Sequence, residues 1–427
     1  MKVLFTTEYY SPFTPGGSPW SIRLLAEALA ARGHAVTVVT PNYGAASREV
    51  IGGVSVVRFP FWRRLPPGPF LATTRDLVSL RFHWRFFRAA AAEAGRWGAD
   101  VIHAQDKHAL VGSFFAARAV RRPVFLTLRD TGLICPIATC LLSHEFVPSD
   151  CSATKLQRDC AAFYLDNYIG GGRLRRARIR ANLALLYADA RFKRALLTRL
   201  DGLVSVSRGL LEIYLRSGRG QRERSHVVYS LPPEPRTADP DAVRSVRARY
   251  GLEGREAVLY VGKLSPGKGG LVFLQAAGRV AGQRPGTVFL VVGPTHPGPA
   301  APPAEIRWLG ALSHEELLSV YAAVEVVVLP SVGPEALSRV PIEAAMASRP
   351  TIGARAGGIP EEILDGETGL LVDRNDSEAL AQGMLRLLEN RELREQLGVQ
   401  ARCFVMKKFD PNAIVGSLVG LYEAARV

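Results

Sequence analysis

Short apolar runs alternate with longer stretches of helical period along almost the whole chain. Residues 2–7 read as a buried strand, 21–32 as an amphipathic helix, Gly33-His34 as a turn and 35–40 as a second strand. Further strands are predicted over 54–59, 100–103, 124–128 and 203–207, the last of them closing this half. Strands that alternate with helices imply a parallel sheet. Pro232-Pro233-Glu234-Pro235 breaks the pattern and marks a linker. A second alternation follows, with strands predicted over 257–261, 288–292, 306–309, 324–329, 351–354 and 370–372. The expectation is an α/β protein of two doubly wound parallel-sheet domains, residues 1–230 and 231–410.

Length agrees, since 427 residues exceed what one core usually serves. A hydrophobic content of 48% and a charged content of 22% are those of a soluble globular protein. No run approaches the roughly 18 apolar residues that span a bilayer. The first apolar run is too short for a signal peptide and ends at Glu8. A cytoplasmic protein is expected.

The net charge of +15 adds a question. Much of it lies in Arg173-Leu174-Arg175-Arg176-Ala177-Arg178-Ile179-Arg180 and Arg191-Phe192-Lys193-Arg194, within a helix expected over 174–200. A basic helix with interleaved apolar residues lies on an anionic membrane surface; Arg81 to Arg88 offers a second such stretch. The other reading is arginine-rich, solvated helix faces. Nucleic-acid binding is disfavoured, because no helix-turn-helix, aromatic strand motif or zinc finger is present.

Two acids carry the strongest chemical signal. Glu335 follows the strand at 324–329, and Glu343 sits just inside a helix that has Pro341 in its first turn. Ligands of open α/β sheets bind at that edge, where helix amides face anions. Gly357-Gly358-Ile359-Pro360-Glu361 and Asp365-Gly366-Glu367-Thr368-Gly369 come next. Earlier, Gly262-Lys263-Leu264-Ser265-Pro266-Gly267-Lys268-Gly269-Gly270 follows a predicted strand. Two lysines in a glycine loop, placed before paired acids, set fixed cations where they can stabilise developing negative charge.

Together these motifs resemble the family 4 glycosyltransferases, which are retaining and of GT-B fold. The resemblance covers nearly the whole chain and is weakest over 60–96 and 135–199. It implies two Rossmann-like domains facing a central cleft: an acceptor-binding one over 1–230 and a nucleotide-sugar donor-binding one over 231–410. Residues 411–427 would form a helix returning to the first domain. It further implies that Lys263 and Lys268 neutralise the diphosphate, and that Glu343 receives the ribose hydroxyls. Glu335 would face the sugar, with the amides of Ala336, Leu337 and Ser338 approaching the sugar or phosphates.

Gly16 and Gly17, in the turn after the first strand, would let backbone amides reach the diphosphate, a task that wants glycine for close approach and positive φ. His103, Asp106, Arg129 and Asp130 follow strands and are expected to face the cleft on the acceptor or sugar side. Arg129 stands where the family has histidine and cannot accept a proton, which leaves Asp130 available for catalysis. Ser338 replaces a usual glycine and narrows the pocket.

The function implied is transfer of a sugar from a UDP- or GDP-sugar to a glycan, lipid-linked or small-molecule acceptor, in envelope polysaccharide or glycoconjugate synthesis. No cofactor and no catalytic metal are expected. Asp239-Pro240-Asp241 looks like a metal motif but reads as a helix cap. The alternative is a catalytically inactive binding module of the same fold. Cys135, Cys140, Cys151 and Cys160 fall in one loop-rich stretch and leave three readings: a metal site, disulfides, or buried thiols.

Overall fold

The computed structural model describes residues 1–68, 75–143, 145–148, 151–166, 171–218, 221–234, 238–293 and 305–426. Pro235 of the linker lies outside them. The chain divides into two compact units, Met1–Leu231 with Pro411–Val427, and Pro232–Asp410.

The first unit holds β1 (Lys2–Thr6), β2 (Ala35–Asn42), β3 (Arg48–Ile51), β4 (Val54–Pro60), β5 (Val101–Ala104), β6 (Val124–Leu128), β7 (Gly202–Ser205) and β8 (Ser225–Val227). Their order is β3-β4-β2-β1-β5-β6-β7-β8, parallel throughout except for the β3–β4 hairpin. Sequence reasoning missed β3 and β8, which sit at the two edges. They are short and half-exposed, so no buried apolar run announces them. The last strand of this half is therefore β8, not β7.

The first helix runs over Gly17–Ala31 and starts four residues earlier than expected, with Gly16 as its cap. The terminal helix Pro411–Ala424 belongs to this unit and buries Ile414, Leu418 and Tyr422, one face at a spacing of four. Among the described residues, no helix is long and apolar enough to cross a membrane.

The second unit holds β9 (Ala257–Val261), β10 (Val288–Val292), β11 (Ile306–Gly310), β12 (Val326–Leu329), β13 (Thr351–Ala354) and β14 (Gly369–Val372). All are parallel, in the order β11-β10-β9-β12-β13-β14. Its central strands β9, β10 and β12 are buried on both faces. That is why they read as unbroken apolar runs. Phe273, Val280, Phe289, Ile352 and Met384 fill one face, each fully buried. Burying a side chain of this size stabilises the fold by about 1.5–3 kcal/mol.

Candidate active site

In the second unit the chain leaves β9 for β10 on one side. It later returns from β11 to β12 on the other side of β9. Strand order reverses between β9 and β12, and connections diverging from such a point leave a crevice beyond the strands' carboxyl ends. Lys263 and Lys268 leave β9 at that end, and Glu335 leaves β12. Lys268 Nζ donates to Glu335 Oε1 at 2.6 Å, and Ser331 Oγ donates to the same oxygen at 2.6 Å. Glu335 is only 9% exposed. Lys263 is half-buried and makes no ion pair among the described residues.

The backbone of both loops is fixed from below. The Tyr260 hydroxyl lies 2.9 Å from the Lys263 carbonyl and 3.1 Å from that of Lys268. The Val332 and Gly333 amides donate to the Gly267 carbonyl. Gly269 has φ 73°, and a Cβ there would stand 1.8 Å from the Pro330 oxygen. The two loops approach closely because this residue has no side chain. Gly357 does the same from the β13 end: its φ is 58° and a Cβ would lie 2.0 Å from the Glu335 oxygen. Gly358 N donates to that oxygen at 2.8 Å. The glycine pair thus holds the backbone of the acid.

Glu343 is buried in the helix Arg339–Met346, which starts two residues earlier than the sequence suggests. Its oxygens accept from the Tyr321 hydroxyl (3.1 Å) and Arg339 Nε (3.0 Å). It lies outside the first turn, so helix-terminus stabilisation does not account for it. Ser338 caps this helix, its Oγ accepting from Val340 N, and its own amide donates to Glu362 Oε2 at 3.1 Å. That corrects one expectation: the Ser338 amide is already engaged. The Ala336 and Leu337 amides have no hydrogen-bond partner among the described residues. Glu362 is a third carboxyl that the sequence did not single out. Burial, and then the neighbouring Glu335 and Glu361 charges, hold its pKa well above the usual range despite the Ser338 amide.

In the first unit the order reverses between β1 and β5. Several expectations change here. His103 does not face open space: it is fully buried, with Nδ1 2.5 Å from Tyr422 Oη and Nε2 2.8 Å from Thr127 Oγ1. Burial, helped by Arg129, pulls its pKa down to about 3, so it is a neutral core residue. Asp106 is also structural, accepting from the amides of His108, Ala109 and Glu8. Tyr422 of the terminal helix covers His103, and the three amides fix the Asp106 carboxylate.

Arg129 turns onto Gln105, donating to its carbonyl (2.9 Å) and its Oε1 (2.8 Å). Asp130 is half-exposed, pairs with Lys107 at 2.5 Å and accepts from the Gly132 amide. Gly16 has φ 167°, ordinary extended backbone, so positive φ is not what selects glycine there; open space surrounds its missing Cβ. Glu8, Lys107 and His108 join this edge unannounced by the sequence. Glu8 Oε2 lies 3.5 Å from His108 Nε2, and burial, reinforced by Asp106, raises the Glu8 pKa. Only its place after β1 could have flagged it.

Two family profiles match the chain: "Glycosyl transferase 4-like domain" over residues 16–231 and "Glycosyl transferases group 1" over residues 244–404. Among similar proteins, the alpha-D-kanosaminyltransferase of Streptomyces kanamyceticus is 32% identical over 47% of this chain and 54% of its own length. The D-inositol 3-phosphate glycosyltransferase of Corynebacterium efficiens is 33% identical over 40% and 43%. The chain therefore spans about half the length of the curated relatives it matches. The crystal structure of Anabaena HepE in complex with UDP-glucose superposes with a TM-score of 0.69 at 18% identity, covering 99% of this chain and 100% of that one. The fold is GT-B.

Proposed function

The chain belongs to the glycosyl transferase 4-like family, and on that premise we propose that it is a retaining family 4 hexosyltransferase using a UDP- or GDP-sugar. The observation that carries this reading is the placement of two lysines and a buried, twice hydrogen-bonded Glu335 at the β9/β12 reversal. Lys263 and Lys268 take the charge that grows on the diphosphate as the anomeric C–O bond breaks. Glu343, a carboxylate with several acceptor sites, accepts the ribose hydroxyls. Glu335 holds the sugar hydroxyls, and the open Ala336 and Leu337 amides approach the sugar or phosphate.

The acceptor attacks on the face the leaving group departs from, through an oxocarbenium-like ion, and the departing phosphate takes the acceptor proton. Arg129 and Asp130 belong to the acceptor or sugar side; His103 and Asp106 drop out of that role. The acceptor is a glycan, a lipid-linked sugar or a small molecule of envelope glycoconjugate synthesis. The protein works in the cytoplasm and touches the anionic inner face of the membrane through the helix Arg173–Leu197. Arg173, Leu174, Arg175 and Arg178 of that helix are exposed.

Thermal shift of the purified chain with UDP, GDP and ADP tests donor binding. A ligand at a hundred times its Kd stabilises by about 2.7 kcal/mol. Sugar release from the matching donor should persist in excess chelator. Loss restored by magnesium or manganese would remove the lysines as the neutralising charges. Binding of a diphosphate without turnover of any donor would favour an inactive binding module.

A further inference from the structure

Four of the five cysteines line a single cavity in the first unit. Cys135, Cys140, Cys151 and Cys160 surround about 50 Å³ of space whose remaining wall is mostly apolar, including Leu156 and Phe163. The cavity lies in an irregular part of the first unit. No strand or helix occurs among the described residues between Leu128 and Ala153. The next turn, Leu156–Cys160, is a π-helix. Three of the six non-glycine residues with positive φ among the described residues (Ala138, Cys140 and Val147) fall in this segment. A stretch of this length without regular structure is uncommon in a compact domain unless something holds it. The apolar anchors on its far side are few: Leu156, Ala161 and Leu165.

We propose that these four thiols are the ligands of a structural zinc ion that fastens the 132–166 segment to its domain. Sulfur is the right donor for a closed tetrahedral zinc site, and four protein ligands leave no open position for chemistry. All four thiols line the one cavity, and no disulfide joins any of them. A bound metal would hold these sulfurs as thiolates.

Among the described residues no three ligands are already gathered around a common point. Binding therefore requires the side chains to turn into the cavity, and it releases one proton per thiol. Lys155 lines the same cavity and sets a cation beside the dianionic tetrathiolate. The Val147 amide, which donates to Cys140 Sγ at 3.4 Å, supplies the hydrogen bond that such a sulfur accepts.

The test uses the full chain purified without added metal or chelator. Elemental analysis should give about one zinc per chain. A thiol reagent should label the exposed Cys403 at once and the other four only after zinc is removed. Cys160→Ser should lose zinc, whereas Cys403→Ser should keep it. If Cys160→Ser does not fold, cobalt reconstitution of the wild-type chain decides the matter by the visible absorption of a tetrahedral thiolate site. Zinc-free protein that takes up no cobalt overturns the proposal. So does a disulfide mapped among the four, or iron accompanied by acid-labile sulfide.

Discussion

Replacing Lys268 with alanine separates the catalytic meaning of the Lys268–Glu335 pair from its structural one. Lys268 is nearly half-exposed and Glu335 is not: their side chains are 46% and 11% accessible. A cation about 4 Å from a phosphate charge is worth roughly 4 kcal/mol at an effective dielectric of 20, and partial exposure reduces that. Removing one such stabiliser typically costs about 2.7–4 kcal/mol in the transition state. The lower end applies here, so turnover should fall by about two orders of magnitude.

Stability should change far less. A pair with one solvated partner contributes about 0–1 kcal/mol, and Ser331 still donates to Glu335 after the substitution. Turnover of the matching nucleotide sugar should therefore collapse while the melting temperature moves by about 4 °C or less. Full activity in Lys268→Ala would falsify the electrostatic role of this loop. Equal loss of activity and stability would reduce the pair to a fold element.

Gly357→Ala should destabilise by about 2 kcal/mol or more, since the new Cβ meets the Glu335 carbonyl and φ is positive. Gly366→Ala, also at positive φ but in open space, should cost only about 1 kcal/mol; equal melting temperatures for the two variants would refute the contact argument. Glu362→Gln tests the raised carboxyl. The folded protein holds this proton where the unfolded chain, near 4.5, gives it up. The stability it contributes is full below 4.5 and declines as pH rises toward the folded pKa. Denaturation midpoints should therefore show the variant gaining on the wild type from acid to neutral pH, and a constant difference would mean an ionised Glu362.

On anionic vesicles, Arg175→Ser with Arg178→Ser should weaken binding about thirtyfold, at about 1 kcal/mol per arginine, and salt should weaken it further. Arg176, tied to Asp166 at 2.5 Å, should matter less. Equal sedimentation with neutral and anionic vesicles removes the membrane contact and leaves the sugar-transfer reading in place.

The sequence by itself determined the two parallel sheets and the positions of their buried strands along the chain. Central strands need apolar residues on both faces, and helices need an apolar stripe, so both leave a periodic trace. It also determined that Lys263, Lys268 and Glu335 lie on loops after strands, because glycines and prolines punctuate those positions. The edge strands β3 and β8 left no such trace, since half-exposed residues carry no fixed pattern.

Only the tertiary structure decided which polar residues are already engaged. His103 lies near the end of one buried strand and Asp130 just beyond another, yet the first is sealed against Tyr422 from the terminal helix and the second stands half in solvent. The Ser338 amide is taken by Glu362, 24 residues further on, and Tyr260 holds two lysine carbonyls from inside a strand. Pairings of this kind depend on which distant element covers a strand end. Local periodicity records whether a residue is buried, and it carries no information about the partner it is buried against.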